Sequence, residues 1–106
     1  MQIQVNTDNH IEGREELAAQ VEATVESALS HFRERITRVE VHLSDENSQK
    51  GGDDKRCVME ARLEGRRPEA VTHQAASLSD AVDGAAEKLK ASLESTLGRL
   101  SSRVTL

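Results

Sequence analysis

Between Leu78 and Leu100, apolar residues recur at Leu78, Val82, Ala85, Leu89, Leu93, Leu97 and Leu100, at spacings of four, three, four, four, four and three. Such spacings place all seven on one stripe of an α-helix and exclude a strand, whose faces repeat at every second residue. Ser77-Leu78-Ser79-Asp80 supplies a start signal with capping-box spacing, a hydroxyl followed three residues on by an acid. The helix is predicted to run to about Leu100, with Gly98 costing a little near its end. A helix with one apolar stripe must lay it on a surface, so the rest of the chain has to provide one.

It does so mainly with strands. Gln2 to Thr7 alternates, with Ile3 and Val5 on one face, and Thr7-Asp8-Asn9-His10 has turn chemistry. Arg14 to Phe32 carries Leu17, Val21, Val25, Ala28, Leu29 and Phe32 at helical spacing, with Glu15 and Glu16 in its first turn and Arg33 and Arg35 past its end. Period two returns from Thr37 to Ser44, where Val39, Val41 and Leu43 face inward, and from Arg56 to Glu64, where Cys57, Met59, Ala61 and Leu63 do. Gly65-Arg66-Arg67-Pro68 forms a tight turn, and Pro68 opens a fourth strand to about Ala75 whose faces barely alternate. Asp45 to Asp54 is a polar, flexible loop. The helix between the first two strands acts as a right-handed crossover and makes them parallel, and the last three strands form an antiparallel meander. The expected fold is therefore an α+β two-layer sandwich of order β-α-β-β-β-α, two helices packed on one face of a four-stranded mixed sheet. The other sheet face stays polar and open.

At 106 residues the chain makes one domain, residues 1–106, with its core over about 1–100 and a short tail at 101–106. Phe32 is the sole aromatic, so the core must be aliphatic. A single cysteine excludes an internal disulfide and suits a reducing, cytoplasmic compartment. The alternating N-terminus shows no signal peptide, and no stretch approaches the ~18 apolar residues of a membrane span. Acids outnumber bases nineteen to fourteen, a net charge of −5, which argues against a generally basic nucleic-acid protein.

Chemistry is sparse. Cys57 falls on an inward strand face, where a thiol behaves as a small hydrophobe; an enzymatic role would need it exposed with a lowered pKa. His10, His31, His42 and His73 are scattered without ligand spacing, and Gly51-Gly52-Asp53-Asp54 lacks the setting of a phosphate or calcium loop. The chain is expected to be neither an enzyme nor a binder of metal, cofactor or small-molecule substrate. Its bases are more informative by position. Lys88, Arg99 and Arg103 follow one edge of the second helix, eleven and four residues apart, with Ser92 and Ser95 between them and Lys90 on the opposite edge. Arg33, Arg35 and Arg38 cluster where the first helix gives way to the second strand, and Arg66 and Arg67 mark a turn. Such a set suits phosphate contacts. The competing reading is a solvated face of mixed charge, because Glu87 and Glu94 interrupt it.

Several strings in order resemble the short ribosome hibernation-promoting factors, also called ribosome-associated translation inhibitors and sigma-54 modulation proteins. They are Met1-Gln2-Ile3, Leu29-Ser30-His31-Phe32 with Ile36, and Val39-Glu40-Val41-His42-Leu43. Ala81-Val82-Asp83-Gly84-Ala85 with Lys88-Leu89 then stands where the family has A-I-D-x-x-x-x-K-L. The resemblance spans about residues 1 to 100. It implies the same fold, binding to ribosomal RNA of the small subunit in the messenger and transfer RNA channel, and steric arrest of translation in stress or stationary phase. It would put Lys88, Lys90, Arg99, Arg103, Arg33, Arg35, Arg38, Arg66 and Arg67 against phosphate. The family grips RNA with a strongly basic helical surface, whereas Ala91 to Leu97 here contains no base. The alternative is a divergent member serving as a protein-interaction or weak homodimerisation module, with Leu97, Leu100 and Val104 toward the partner.

Overall fold

The computed structural model describes residues 1–8, 13–45 and 55–104, the side chains of the last six excepted. His10 and the Gly51–Asp54 stretch of the polar loop lie outside the described residues. The elements are β1 (Gln2–Thr7), α1 (Arg14–Ala28), a 3₁₀ turn (Ser30–Phe32), β2 (Ile36–Asp45), β3 (Lys55–Leu63), β4 (Glu69–Ala75) and α2 (Leu78–Val104). The four strands form one sheet in sequence order. β1 runs parallel to β2, and β2–β3 and β3–β4 are antiparallel. Both helices cover the same sheet face, α1 beside β1 and α2 over β3 and β4. The α+β sandwich of order β-α-β-β-β-α expected from periodicity is the fold observed.

The core lies between the layers. Val39, Val41 and Leu43 of β2 and Cys57, Met59, Ala61 and Leu63 of β3 are buried beneath Val21, Val25 and Leu29 of the first helical segment and Leu89, Leu93 and Leu97 of α2. Each fully buried Leu or Val contributes about 1.5–3 kcal/mol relative to exposure. Phe32 is half-buried at the margin, so the fully buried interior is aliphatic. Cys57 is fully buried, and desolvation pushes its thiol up to about 12. A nucleophile needs the thiolate, which this site suppresses.

β2 and β3 shift by one residue at their ends, so that Asp45 closes β2 rather than opening the loop, and three other boundaries differ from the sequence expectation. The first helix stops at Ala28 rather than Phe32: Leu29 leaves helical geometry, and the chain tightens into a 3₁₀ turn closed by the Phe32 N–H donating to Leu29 O at 2.9 Å. That turn keeps Leu29 fully buried while Phe32 packs at the core margin. Pro68 lies just outside β4, since it has no N–H for the ladder. α2 continues to Val104. Its start is as expected, with the Asp80 N–H donating to Ser77 Oγ at 3.1 Å.

The ambiguous faces of β4 resolve with Glu69, Val71, His73 and Ala75 toward the helices and Ala70, Thr72 and Gln74 on the open face. Two polar residues on the covered side need partners, and one edge of α2 supplies them. Gly84 leaves room for the His73 ring, and Ser92 Oγ and Thr96 Oγ1 both donate to Glu69 Oε1. Between them Lys88 Nζ donates to Thr72 O at 3.0 Å, occupying part of an otherwise open strand edge. Gly84, Lys88, Ser92 and Thr96 stand four residues apart on a single helix edge.

A Cβ at Gly84 would lie 2.1 Å from His73 Cδ2, so Gly84→Ala must displace the ring. Overpacking of this kind costs about 1–3 kcal/mol, more than the roughly 1 kcal/mol alanine gains in a helix. Gly84→Ala should lower the melting temperature by several degrees, and the same change in a His73→Ala background should not. At Gly98 an added Cβ meets nothing within 4 Å, so Gly98→Ala should raise stability by up to about 1 kcal/mol. Cys57 gives a pH signature. Its folded pKa of about 12 exceeds the 9.0 of a solvated thiol, so the stability it contributes is fully present below pH 9 and is lost as pH rises toward 12. Denaturant titrations across that window should show wild type losing up to about 1.4 kcal/mol per pH unit more than Cys57→Ala.

Candidate nucleic-acid interface

The β2–β3 register pairs Ile36 with Leu63. This sets the connection entering β2 beside the turn leaving β3. The first connection presents Arg33 and Arg35, both exposed, and is held by the Arg35 N–H donating to Phe32 O at 2.8 Å. The second presents Arg66 and Arg67, also exposed. It is closed by the Arg66 N–H donating to Leu63 O at 3.2 Å and by Gly65 at φ +72°. That left-handed conformation costs a side-chain-bearing residue roughly 1–2 kcal/mol, which accounts for glycine there. Thr96 of α2 joins Gly65, Arg66, Arg67, Pro68 and Glu69 around an open groove of about 460 Å³. Thus α2 arrives at the same end of the sheet and continues there through positions 99 and 103; the side chains of Arg99 and Arg103 lie outside the described residues.

The remaining predicted bases are placed differently. Arg38 stands on the open sheet face near this end, where it pairs with Glu40 at 2.9 Å. Arg62, which sequence spacing did not single out, completes a small network: it reaches Glu60 at 3.3 Å and Glu40 at 3.9 Å. Glu40 and Glu60 are direct cross-strand partners, and like charges so placed repel unless cations stand between them. Arg38 and Arg62 therefore serve their own sheet. Lys88 is tied to Thr72 O, and Lys90 is half-buried elsewhere on α2. Arg33, Arg35, Arg66 and Arg67 are different: none has an ion pair among the described residues. Each of their turns also carries one acid, Glu34 or Glu64, leaving four arginines against two glutamates.

The helix layer has the opposite sign. Glu15, Glu16, Glu22 and Glu26 of α1 and Asp80, Asp83, Glu87 and Glu94 of α2 are all exposed. Against these eight acids stand Arg14, Lys88 and Lys90 on the helix residues with described side chains. Ala23, Thr24, Ser27, Ala28 and Ala86 line a shallow groove between the helices, with Asp83 and Glu87 at its rim. Among the described residues, the exposed acids thus lie mostly on the helix layer, and the arginines without an ion pair project from one end of the sheet. Among the described residues, no three His, Cys, Asp or Glu converge as a metal site, and no helix is long and apolar enough to cross a membrane.

The fold is shared with solved structures, two of which are similar over nearly their whole length. A ribosomal subunit interface protein from Coxiella burnetii superposes with a TM-score of 0.68 at 16% identity, over 92% of this chain and 99% of that one. The N-terminal domain of Protein Y from Thermus thermophilus gives 0.64 at 19% identity, over 91% of this chain and 99% of its own. No curated protein matches the sequence. The profile of the sigma 54 modulation protein / S30EA ribosomal protein family matches residues 3–101, nearly the whole chain. The chain belongs to that family of ribosome-associated modulation factors.

Proposed function

We propose that this protein binds the small ribosomal subunit at the messenger and transfer RNA channel and halts translation by occupying it, as a storage device for stress or stationary phase. The observation that carries the reading is the family match over residues 3–101. The four exposed arginines at one end of the sheet, which have no ion pair among the described residues, support it, because they offer forked donors that suit phosphate oxygens. The action is steric. A rigid sandwich with its thiol sealed in the core needs no chemical step to block a channel, and the protein works in the cytoplasm. The likeness to a protein described as lying at the ribosomal subunit interface supports the same location for this one.

The acidic helix layer favours one competing reading, a family member that has exchanged RNA for a protein partner. Co-sedimentation of the purified protein with small subunits, at low and at physiological salt, separates the two. Saturable binding that survives physiological salt, together with dose-dependent inhibition of cell-free translation, is the expected result. Absence of binding even at low salt would overturn the ribosomal role.

A further inference from the structure

Resting on that reading, we infer that the RNA-facing surface of this protein is the arginine end of the sheet, and that the helix layer is turned away from RNA. The two turns carrying Arg33, Arg35, Arg66 and Arg67 are neighbours through the Ile36–Leu63 register, and each is held by its own backbone hydrogen bond. All four guanidinium groups are free of ion pairs among the described residues, so approach to phosphate breaks no existing pair. By contrast, contact through Arg38 or Arg62 would have to compete with Glu40 and Glu60. Lys88 would have to leave Thr72 O.

The helix layer is unsuited to the same polyanion. Its exposed acids outnumber its described bases eight to three, and Asp83 and Glu87 flank the groove that an RNA strand would otherwise follow. Screening at physiological salt acts over about 8 Å, shorter than the helix layer is long. A phosphate docked at the arginine turns therefore feels those turns more than the distant carboxylates, whereas one docked on the helices meets the acids directly. Orientation follows from repulsion on one side as much as from attraction on the other.

The test pairs two variants with unmodified protein. One reverses the turns (Arg33→Glu, Arg35→Glu, Arg66→Glu, Arg67→Glu); the other neutralises helix acids (Glu22→Gln, Glu26→Gln, Glu87→Gln, Glu94→Gln). All eight sites are exposed, and circular dichroism with a melting curve confirms folding. Affinity is measured for small subunits and, separately, for an RNA hairpin at low salt. The turn variant should lose more than about tenfold on both, with a salt slope shallower by about three, the loss expected for four phosphate contacts. The helix variant should bind at least as tightly as wild type. Wild-type affinity in the turn variant would overturn the inference. So would weakened subunit binding by the helix variant, which would place a basic ribosomal protein on the helices. Failure of wild type to bind subunits while the hairpin still discriminates the turn variant would defeat the ribosomal reading and leave the arginine surface supported.

Discussion

Everything in this fold hangs on how α2 lies across β3 and β4. The leucine stripe supplies the adhesive part: Leu89 and Leu93 are wholly excluded from solvent over Met59 and its neighbours. The adjoining edge supplies registration. Gly84, Lys88, Ser92 and Thr96 meet His73, Thr72 and Glu69 in antiparallel order along β4. Apolar burial alone would tolerate sliding by a turn. A histidine that fits only under a glycine, and a half-buried carboxylate that needs two hydroxyls, do not.

That register also fixes where the charged ends fall. With Thr96 over Glu69, the continuation of α2 must emerge beside the Gly65–Pro68 turn rather than over the open sheet face. The arginines entering β2 reach the same end because β2 and β3 are antiparallel neighbours. Residues far apart in sequence are thereby gathered by strand pairing and by one helix–strand contact.

Much of this was legible in the residues. Simple alternation sufficed for β2 and β3, because one face of each is apolar and the other is charged. It failed for β4, whose covered face includes Glu69 and His73. The missing signal was not in the strand at all but in α2, where Gly84, Ser92 and Thr96 mark the places that receive those side chains. The 3₁₀ turn at Leu29 was hidden because Leu29 and Phe32 fit a continuous helical stripe equally well. For the candidate interface, the bases could be enumerated but not sorted. Whether an arginine is free or already committed depends on cross-strand neighbours such as Glu40 and Glu60, and no spacing along one strand reveals that.

The net charge of −5 misleads for the same reason. A total treats each carboxylate as if it stood at the same place, whereas the potential at a surface is set by the groups within a screening length or so. Among the described residues the exposed acids lie largely on the helices, and Glu40 and Glu60 on the open sheet face are bridged by Arg38 and Arg62. Bridging has a second effect, since Glu40 and Glu60 are screened from the turns next to them. An acidic protein can in this way present a small cationic end to RNA. The balance of charge elsewhere then acts on orientation, by making the other faces poor substitutes, more than on affinity.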